Sequence, residues 1–583
     1  MQKDKLPILR AETGGTGSRL KNTRIGRDKK DTRRRPDATQ RPNRVQKQRS
    51  EPRQRTSLQA GLAIVSGRVV GELSRRLHLG GGTSIAGLVA QRVYPNIASH
   101  LAKQIEHGSI VITGTNGKTT TSGFIAAILS DAGLRVWHNR EGSNLMGGIT
   151  SSLVKRALPN GHMSRAGRAI SILEADEAVV PQLVQAIPPR VVVFTNLFRD
   201  QLDRYGEVDS VASQWHKAIH GLPGDTILVL NADDPSIAYL GAFFEGRILY
   251  FGIDDPSLEV STQPDAAERH QVMDARSCPK CGGEYIYELH FYSHMGHYRC
   301  TNCDFARPQP DVRAVKVVSD DFDRLRVQMS TSIVTAHTAD APQQEIIIPL
   351  PGLYNVYNAL AAATVAQALQ IGWGPIVTGI EQFKPIFGRG ERIQVEGRTL
   401  RLLLAKNPTG FNEVLRTLFS EGTRRHVLFV LNDNIADGRD ISWIWDVDFE
   451  RAAQQTAALV AAGSRALDLA VRLKYAGINE DEMSVVMPAP LRAAKREALG
   501  RNRNQRATKN MYTKQSRQRG TETIEQAPVK DVPRRYGIAE ALDVAIGLTP
   551  VGETLFVVPT YTGLLEIHHE LEQRGLTPHY WEE

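Results

Sequence analysis

The sequence has 583 residues, 41% of them hydrophobic, which is material for about three or four domains with buried cores. It has no run of about 18 apolar residues, the signature of a helix spanning a membrane, and its charged N-terminus lacks the apolar core of a secretory signal. The formal net charge of +9 is unevenly held: residues 1–56 carry 18 Lys/Arg against 6 Asp/Glu, residues 500–520 carry 7 Lys/Arg and no acid, and the remainder is net acidic.

Taken in chain order, residues 1–56 form a basic tail too poor in apolar side chains to offset the entropy of ordering. Such a tail can neutralise nucleic-acid phosphates, approach an anionic membrane surface, or remain solvated. Ordered chain is expected from Ser57, with a helical stretch, a loop at Gly80–Ser84 and a second helical stretch to about His107. Next comes SIVITGTNGKTTT, Ser109–Thr121. A β-branched strand (Ile110–Thr113) runs into a Gly-rich turn that opens a helix. Gly114 and Gly117 let the backbone N–H groups of Thr115, Asn116 and Thr120 curl around phosphate oxygens. Lys118 can reach terminal phosphates, and the Thr119 hydroxyl suits Mg²⁺. This is the mark of a nucleotide-binding enzyme.

The helix Thr119–Asp131 is followed by strand-like runs at Ala169–Leu173, Arg190–Phe194, Thr226–Leu230 and Ile248–Phe251. Strand alternating with helix predicts a parallel sheet, and ligands of such sheets collect at the carboxyl ends of the strands. Glu174 and Asp176 stand there as candidate Mg²⁺ ligands. Thr195-Asn196 close the next strand, and Asn231 and Asp233 are placed to meet a nucleotide base or ribose. All four cysteines fall in one insert (275–308): Cys278 and Cys281, then Cys300 and Cys303. Two CxxC knuckles at this spacing predict a structural zinc ribbon with four thiolate ligands, leaving His290, His294 and His297 as surface residues.

A second α/β domain is expected over 393–583, after a hinge in which Arg389 faces the phosphates. Its strands are Leu402–Leu404, His426–Leu431, Ala457–Val460 and Thr554–Val558, and a basic insert at about 495–533 loops out. The acidic stretch NDNIADGRD follows a strand end, so its carboxylates are expected to be exposed.

GTNGKTTT, SNL (Ser143–Leu145), LEADEA, TNLFRDQLDRYGE, LNADDP and GLYNVYNALAA (from Gly352) together resemble the ordered signature of the Mur ligase superfamily. Gln201 and Tyr354 depart from its common pattern, which has His at both places. With the four-Cys ribbon, LAKNPTGFNEVL and NDNIADGRDISWIWDVDFE, those departures are similar to the MurT branch. The resemblance implies a P-loop central domain over 57–392 that binds ATP and Mg²⁺, with Asn355 and the phosphate-loop residues at the nucleotide. It further implies amidation of the α-carboxylate of D-glutamate in the lipid II stem peptide through an acyl phosphate, with Lys118 and Glu174 at the reacting phosphoryl group. Ammonia would come from a GatD-like glutamine amidotransferase subunit, to whose Cys–His pair an aspartate of the second domain contributes. Asp437 and Asp440 are the candidates, with Asp433 behind them. Such an enzyme is cytoplasmic and works at the inner face of the membrane. Many Mur ligases carry a carbamylated lysine, and Lys217 lies nearest that place. Two other readings are a Mur-type ligase that adds an amino acid and a nucleic-acid-binding ATPase built on the ribbon and the basic tracts.

Overall fold

The structure is a computed structural model and describes residues 52–76, 82–139, 144–199, 208–259, 274–275, 277–334, 342–384, 388–419, 422–453, 455–488 and 537–577. The tail to residue 51, the basic insert, Ser143 and Gln201 lie outside the described residues.

Helices α1 (Pro52–Arg76), α2 (Gly82–Val93) and α3 (Ile97–Ala102) precede β1 (Ser109–Thr113). Then follow α4 (Lys118–Asp131), β2 (Arg135–His138), α5 (Met146–Arg156), β3 (Ala169–Glu174), α6 (Val180–Ala186), β4 (Val191–Phe194), α7 (Val208–His220), β5 (Ile227–Asn231) and β6 (Arg247–Ile253). The hairpin β7 (Tyr285–Tyr292) and β8 (Met295–Cys300) leads to β9 (Val312–Asp321), β10 (Arg324–Thr331), β11 (Gln343–Ile348), α8 (Leu353–Ala368) and α9 (Trp373–Glu381). Nine of these strands make one sheet in the order β11-β10-β9-β6-β5-β4-β1-β3-β2. Strands β1 to β6 pair in parallel, and β9 joins them in parallel through β6. Strands β10 and β11 close the far edge antiparallel. Strands β1, β3 and β4 are buried along their whole length because both faces of the sheet are covered. One core packs α4, α8 and α9 on one face, and the other places α1, α3, α5, α6 and α7 on the opposite face. Helix α1 lies close on α2: a Cβ at Gly67 would sit 2.5 Å from the Ala86 carbonyl oxygen, so only glycine allows the approach.

The second sheet has six strands in the order β12-β13-β17-β14-β15-β16. They are β12 (Arg389–Val395), β13 (Arg398–Leu403), β14 (Arg425–Val430), β15 (Thr456–Ala462), β16 (Met483–Val485) and β17 (Thr554–Pro559). Around it stand α10 (Pro408–Leu418), α11 (Ala466–Tyr475), α12 (Gly537–Leu548) and α13 (Tyr561–Gln573). The segment expected as a hinge therefore already carries the first strand of this sheet, whose antiparallel pairing with β13 begins at Arg389.

The cysteine insert is a hairpin standing between the two sheets. The four sulfurs lie within 4.8 Å of one another at its base. Its tip is not a free finger: Phe291, Tyr292 and Met295 are buried in the core of the large sheet. The histidines between the knuckles are not surface residues. His294 has no exposure, sits 3.2 Å from Asp234 and packs a tilted ring against Phe198, with ring centres 4.8 Å apart. Burial pulls its pKa down, but the Asp234 carboxylate, helped by Asp274, outweighs that and leaves it raised. His290 and His297, both half-buried, meet the carbonyls of Ser293 and Ile253.

Candidate active site

Strand β1 ends at Thr113 and the chain curls through Gly114–Gly117 into α4. Gly117 has φ +83° and Gly114 φ +134°, regions that side chains disfavour. A Cβ at Gly117 would also lie 2.1 Å from Asn358 Oδ1, and one at Gly114 2.1 Å from Thr195 Oγ1. The strand ends clamp this loop. Asn116 N donates to Asn196 Oδ1 at 2.8 Å, and the Asn116 carbonyl accepts from Thr195 Oγ1 (3.0 Å) and Asn196 Nδ2 (3.1 Å). Thr115 Oγ1 donates to the Phe198 carbonyl at 3.1 Å.

Two carboxylates meet the start of α4. Lys118 Nζ lies 2.8 Å from Glu177 Oε1 and 2.5 Å from the Gly114 carbonyl oxygen. Thr119 Oγ1 donates to Glu174 Oε2 at 3.0 Å, and Ser122 Oγ to Glu174 Oε1 at 2.5 Å. His138 Nε2 lies 3.0 Å from the same Oε1. Asn139 fixes the Glu174 backbone from both sides, accepting from its N–H at 2.8 Å and donating to its carbonyl at 2.9 Å. Thr119 and Glu174 thus come together as expected, with an all-oxygen pair suited to Mg²⁺. Glu177, Ser122 and His138 were missed. Glu177 is the fifth residue of the same LEADEA stretch, three beyond Glu174 at the start of the next short turn, and that spacing is the available signal.

The facing wall comes from α8 and from the second sheet's first helix. Asn358 Oδ1 accepts from Thr121 Oγ1 (3.2 Å), its Nδ2 donates to Asn355 Oδ1 (3.0 Å), and Asn355 Nδ2 donates to the Pro351 carbonyl at 2.6 Å. Asn407 caps α10, its Oδ1 accepting from Gly410 N at 2.8 Å. Its amide also pairs with that of Asn116: Asn407 Nδ2 donates to Asn116 Oδ1 at 3.0 Å and Asn116 Nδ2 to Asn407 Oδ1 at 3.3 Å. The phosphate loop is thereby tied to the C-terminal domain across 291 residues. Between them lies a cavity of about 100 Å³ lined by Asn116, Gly117, Thr120, Asn355, Thr409 and Glu413. Arg416, on α10, donates to the Phe291 carbonyl at 2.6 Å and lies 5.3 Å from the Tyr292 ring centre, so the cysteine hairpin braces the same helix.

Asn231 and Asp233 do not line this cavity. Both are fully buried. Asn231 Nδ2 donates to the Thr195 carbonyl (2.9 Å), and its Oδ1 accepts from Asp233 N (3.0 Å). The Asp233 carboxylate accepts from Arg307 Nε at 2.5 Å, Ile253 N at 2.8 Å and Tyr357 OH at 2.8 Å. A buried carboxylate needs such partners, and these consume the groups that a ribose would have used. The backbone of Arg389 opens β12, while its side chain lies outside the described part of the structure. Lys217 sits exposed on α7.

The acidic stretch after β14 divides. Asp437 is buried, against expectation: its carboxylate accepts from Thr562 N (2.8 Å) and from Thr562 Oγ1, and burial pushes its pKa up despite those bonds. Asp440 is exposed and accepts from Ser442 N at 2.8 Å, a bond that holds its pKa below the usual carboxylate value. Asp433, between them in exposure, accepts from Ser464 Oγ at 2.7 Å.

Residues 112–303 match the family model of the Mur ligase middle domain, and residues 404–515 that of the MurT ligase C-terminal region. The lipid II isoglutaminyl synthase (glutamine-hydrolyzing) subunit MurT of Staphylococcus aureus (strain COL) is 34% identical over 68% of this chain and 84% of its own. The subunit of that name from Streptococcus pneumoniae (strain ATCC BAA-255 / R6) is 33% identical over 73% of this chain and 89% of its own. Among solved structures, a pseudomurein peptide ligase type C from Methanothermus fervidus superposes with TM-score 0.54 at 22% identity, covering 81% of this chain and 79% of that one. MurF from Acinetobacter baumannii does so with TM-score 0.50 at 16% identity, covering 83% and 79%.

Proposed function

The chain belongs to the MurT family of Mur ligases, and we propose that it is the ATP-dependent subunit of a glutamine-hydrolysing lipid II isoglutaminyl synthase. It amidates the α-carboxylate of D-glutamate in the lipid II stem peptide to D-isoglutamine. The observation that carries this reading is the pairing of Lys118 with Glu177 and of Thr119 with Glu174 at the mouth of a phosphate loop.

A carboxylate is a poor acyl donor because its leaving group would be oxide. Its oxygen attacks the γ-phosphorus of ATP, ADP departs, and the acyl phosphate that remains has phosphate as its leaving group. Ammonia then attacks the acyl carbon, phosphate leaves, and the nitrogen sheds a proton. The protein's work is to position charge. Lys118 exchanges Glu177 for the phosphate oxygens, and the N–H groups of the loop and of the first turn of α4 hold the β- and γ-phosphates. Thr119 and Glu174 would hold Mg²⁺, which supplies further neutralisation of phosphoryl charge. Asn407 on Asn116 keeps the C-terminal domain seated over the reacting group.

The four cysteine sulfurs converge as a closed thiolate set that fits zinc in a structural role. Since they account for every cysteine in the sequence, none is spare to hydrolyse glutamine, and a GatD-like amidotransferase subunit supplies the ammonia. We assign the contact with that subunit's Cys–His pair to the acidic stretch after β14, with exposed Asp440 outermost and Asp437 beneath it. Among the described residues no helix is long and apolar enough to cross a membrane, and we place the enzyme at the inner membrane face, where its lipid-linked substrate lies. Phosphate release from ATP tests the reading. It should require lipid II with ammonium, and Lys118→Ala should abolish it. Release driven by RNA or DNA, or by an amino acid in place of ammonium, would contradict it.

A further inference from the structure

Helix α1 is apolar on two faces, and the fold uses only one. Ala60, Ala63, Ile64 and Gly67 turn inward, toward α2 and the core beneath it. On the other side Leu58, Leu62, Val65, Val69 and Leu73 are between 42% and 75% exposed. Their spacing of four, three, four and four residues puts all five on one stripe about four turns long. Arg75 and Arg76, both paired with Glu72, stand at its C-terminal end. Scattered exposed leucines need no explanation, whereas a continuous stripe does. Residues 1–51, which lead directly into this helix, carry 16 Lys/Arg against 6 Asp/Glu.

We propose that the outward stripe of α1 docks on an anionic lipid bilayer. An apolar helix face continuous in sequence with a cation-rich segment has the composition of a helix that lies in the headgroup region. The apolar stripe enters the acyl boundary, and the basic segment is held by anionic headgroups. A second copy of this chain would bring two strongly basic segments together, and a nucleic acid would leave the apolar stripe without a partner. The claim stands apart from amidation, because it needs no lipid-linked substrate.

The test is co-sedimentation of the full chain with phosphatidylcholine vesicles containing about 30% phosphatidylglycerol, against phosphatidylcholine alone. The expected result is partition to the anionic vesicles roughly tenfold or more above the neutral ones, falling as salt rises. The double variant Leu62→Gln/Val69→Gln, both at exposed positions and both kept helix-compatible, should lose roughly tenfold in partition with an unchanged melting temperature. Wild-type protein left in the supernatant, or a double variant that binds as well as wild type, would overturn the proposal. So would light scattering that gives a dimer for wild type and a monomer for the double variant, since the stripe would then belong to a second copy.

Discussion

Glu177 offers the most direct probe of how the phosphate loop is poised. Its carboxylate lies 2.8 Å from Lys118 Nζ, with 6% and 11% of the two side chains exposed, so this is a shielded pair. On the proposed role of Lys118, ATP draws it away from that partner, and the pair opposes binding. Glu177→Gln keeps the shape and one hydrogen bond but removes the charge. Replacing a charge-assisted bond by a neutral one costs about 1–2 kcal/mol. The nucleotide-free protein should lose roughly that much stability, and ATP should regain it on binding, which at 1.4 kcal/mol per decade corresponds to about 5- to 30-fold tighter binding. Calorimetric titration with a slowly hydrolysed ATP analogue reads the affinity, and thermal melting with and without the analogue reads the linkage. Weaker binding in Glu177→Gln would refute the reasoning, because it would make Glu177 a ligand of the nucleotide or its metal rather than the counter-ion of Lys118.

Three further outcomes are expected. Cys278→Ser should lower zinc content and melting temperature together, and should loosen the brace between Tyr292 and Arg416; elemental analysis finding no zinc in native protein would contradict this. His294→Gln should cost about 1–3 kcal/mol, because Asp234 keeps the N–H donors of Leu197, Ser236 and Ile237. Since the folded-state pKa of His294 lies above the ordinary 6.5, the stabilisation is full below that pH and fades as pH rises through the folded-state value; a melting difference from wild type that is the same at about pH 6 and about pH 9 would count against the ion pair. Asp440→Asn should abolish glutamine-dependent amidation while leaving the ammonium-dependent reaction within about twofold, consistent with an exposed contact outside the phosphate site; equal loss of both activities would place Asp440 in this chain's own chemistry.

The phosphate loop was legible because its chemistry is local. Strand, Gly114, Gly117, Lys118 and Thr119 occupy one stretch, and the turn conformation forces the glycines. The cysteine knuckles and most strands of the parallel sheet were legible for the same reason. Strands β9 to β11 escaped because half-exposed alternation such as that of Val312–Asp321 gives a weaker signal than a buried run. What was misplaced depended on partners far along the chain. Asn231 and Asp233 do stand at a strand end, yet Arg307 and Tyr357 arrive from later segments and turn them inward. His294 looked like a ribbon surface residue until the hairpin tip inserted into the core beside Asp234. Asp437 sits in a hydrophilic stretch but is covered by the start of α13. The Asn116–Asn407 pair joins two domains, and neither local pattern announces the other.

The division of labour between this chain and an amidotransferase is the central claim, and one assay addresses it. Purified chain, ATP, Mg²⁺ and lipid II are incubated with ammonium salt at raised pH or with glutamine, and the product is followed by mass spectrometry. Amidated lipid II should form with ammonium, and none should form with glutamine until the amidotransferase subunit is added. Amidation from glutamine by this chain alone, or no product from ammonium under any condition that sustains ATP binding, would contradict the account.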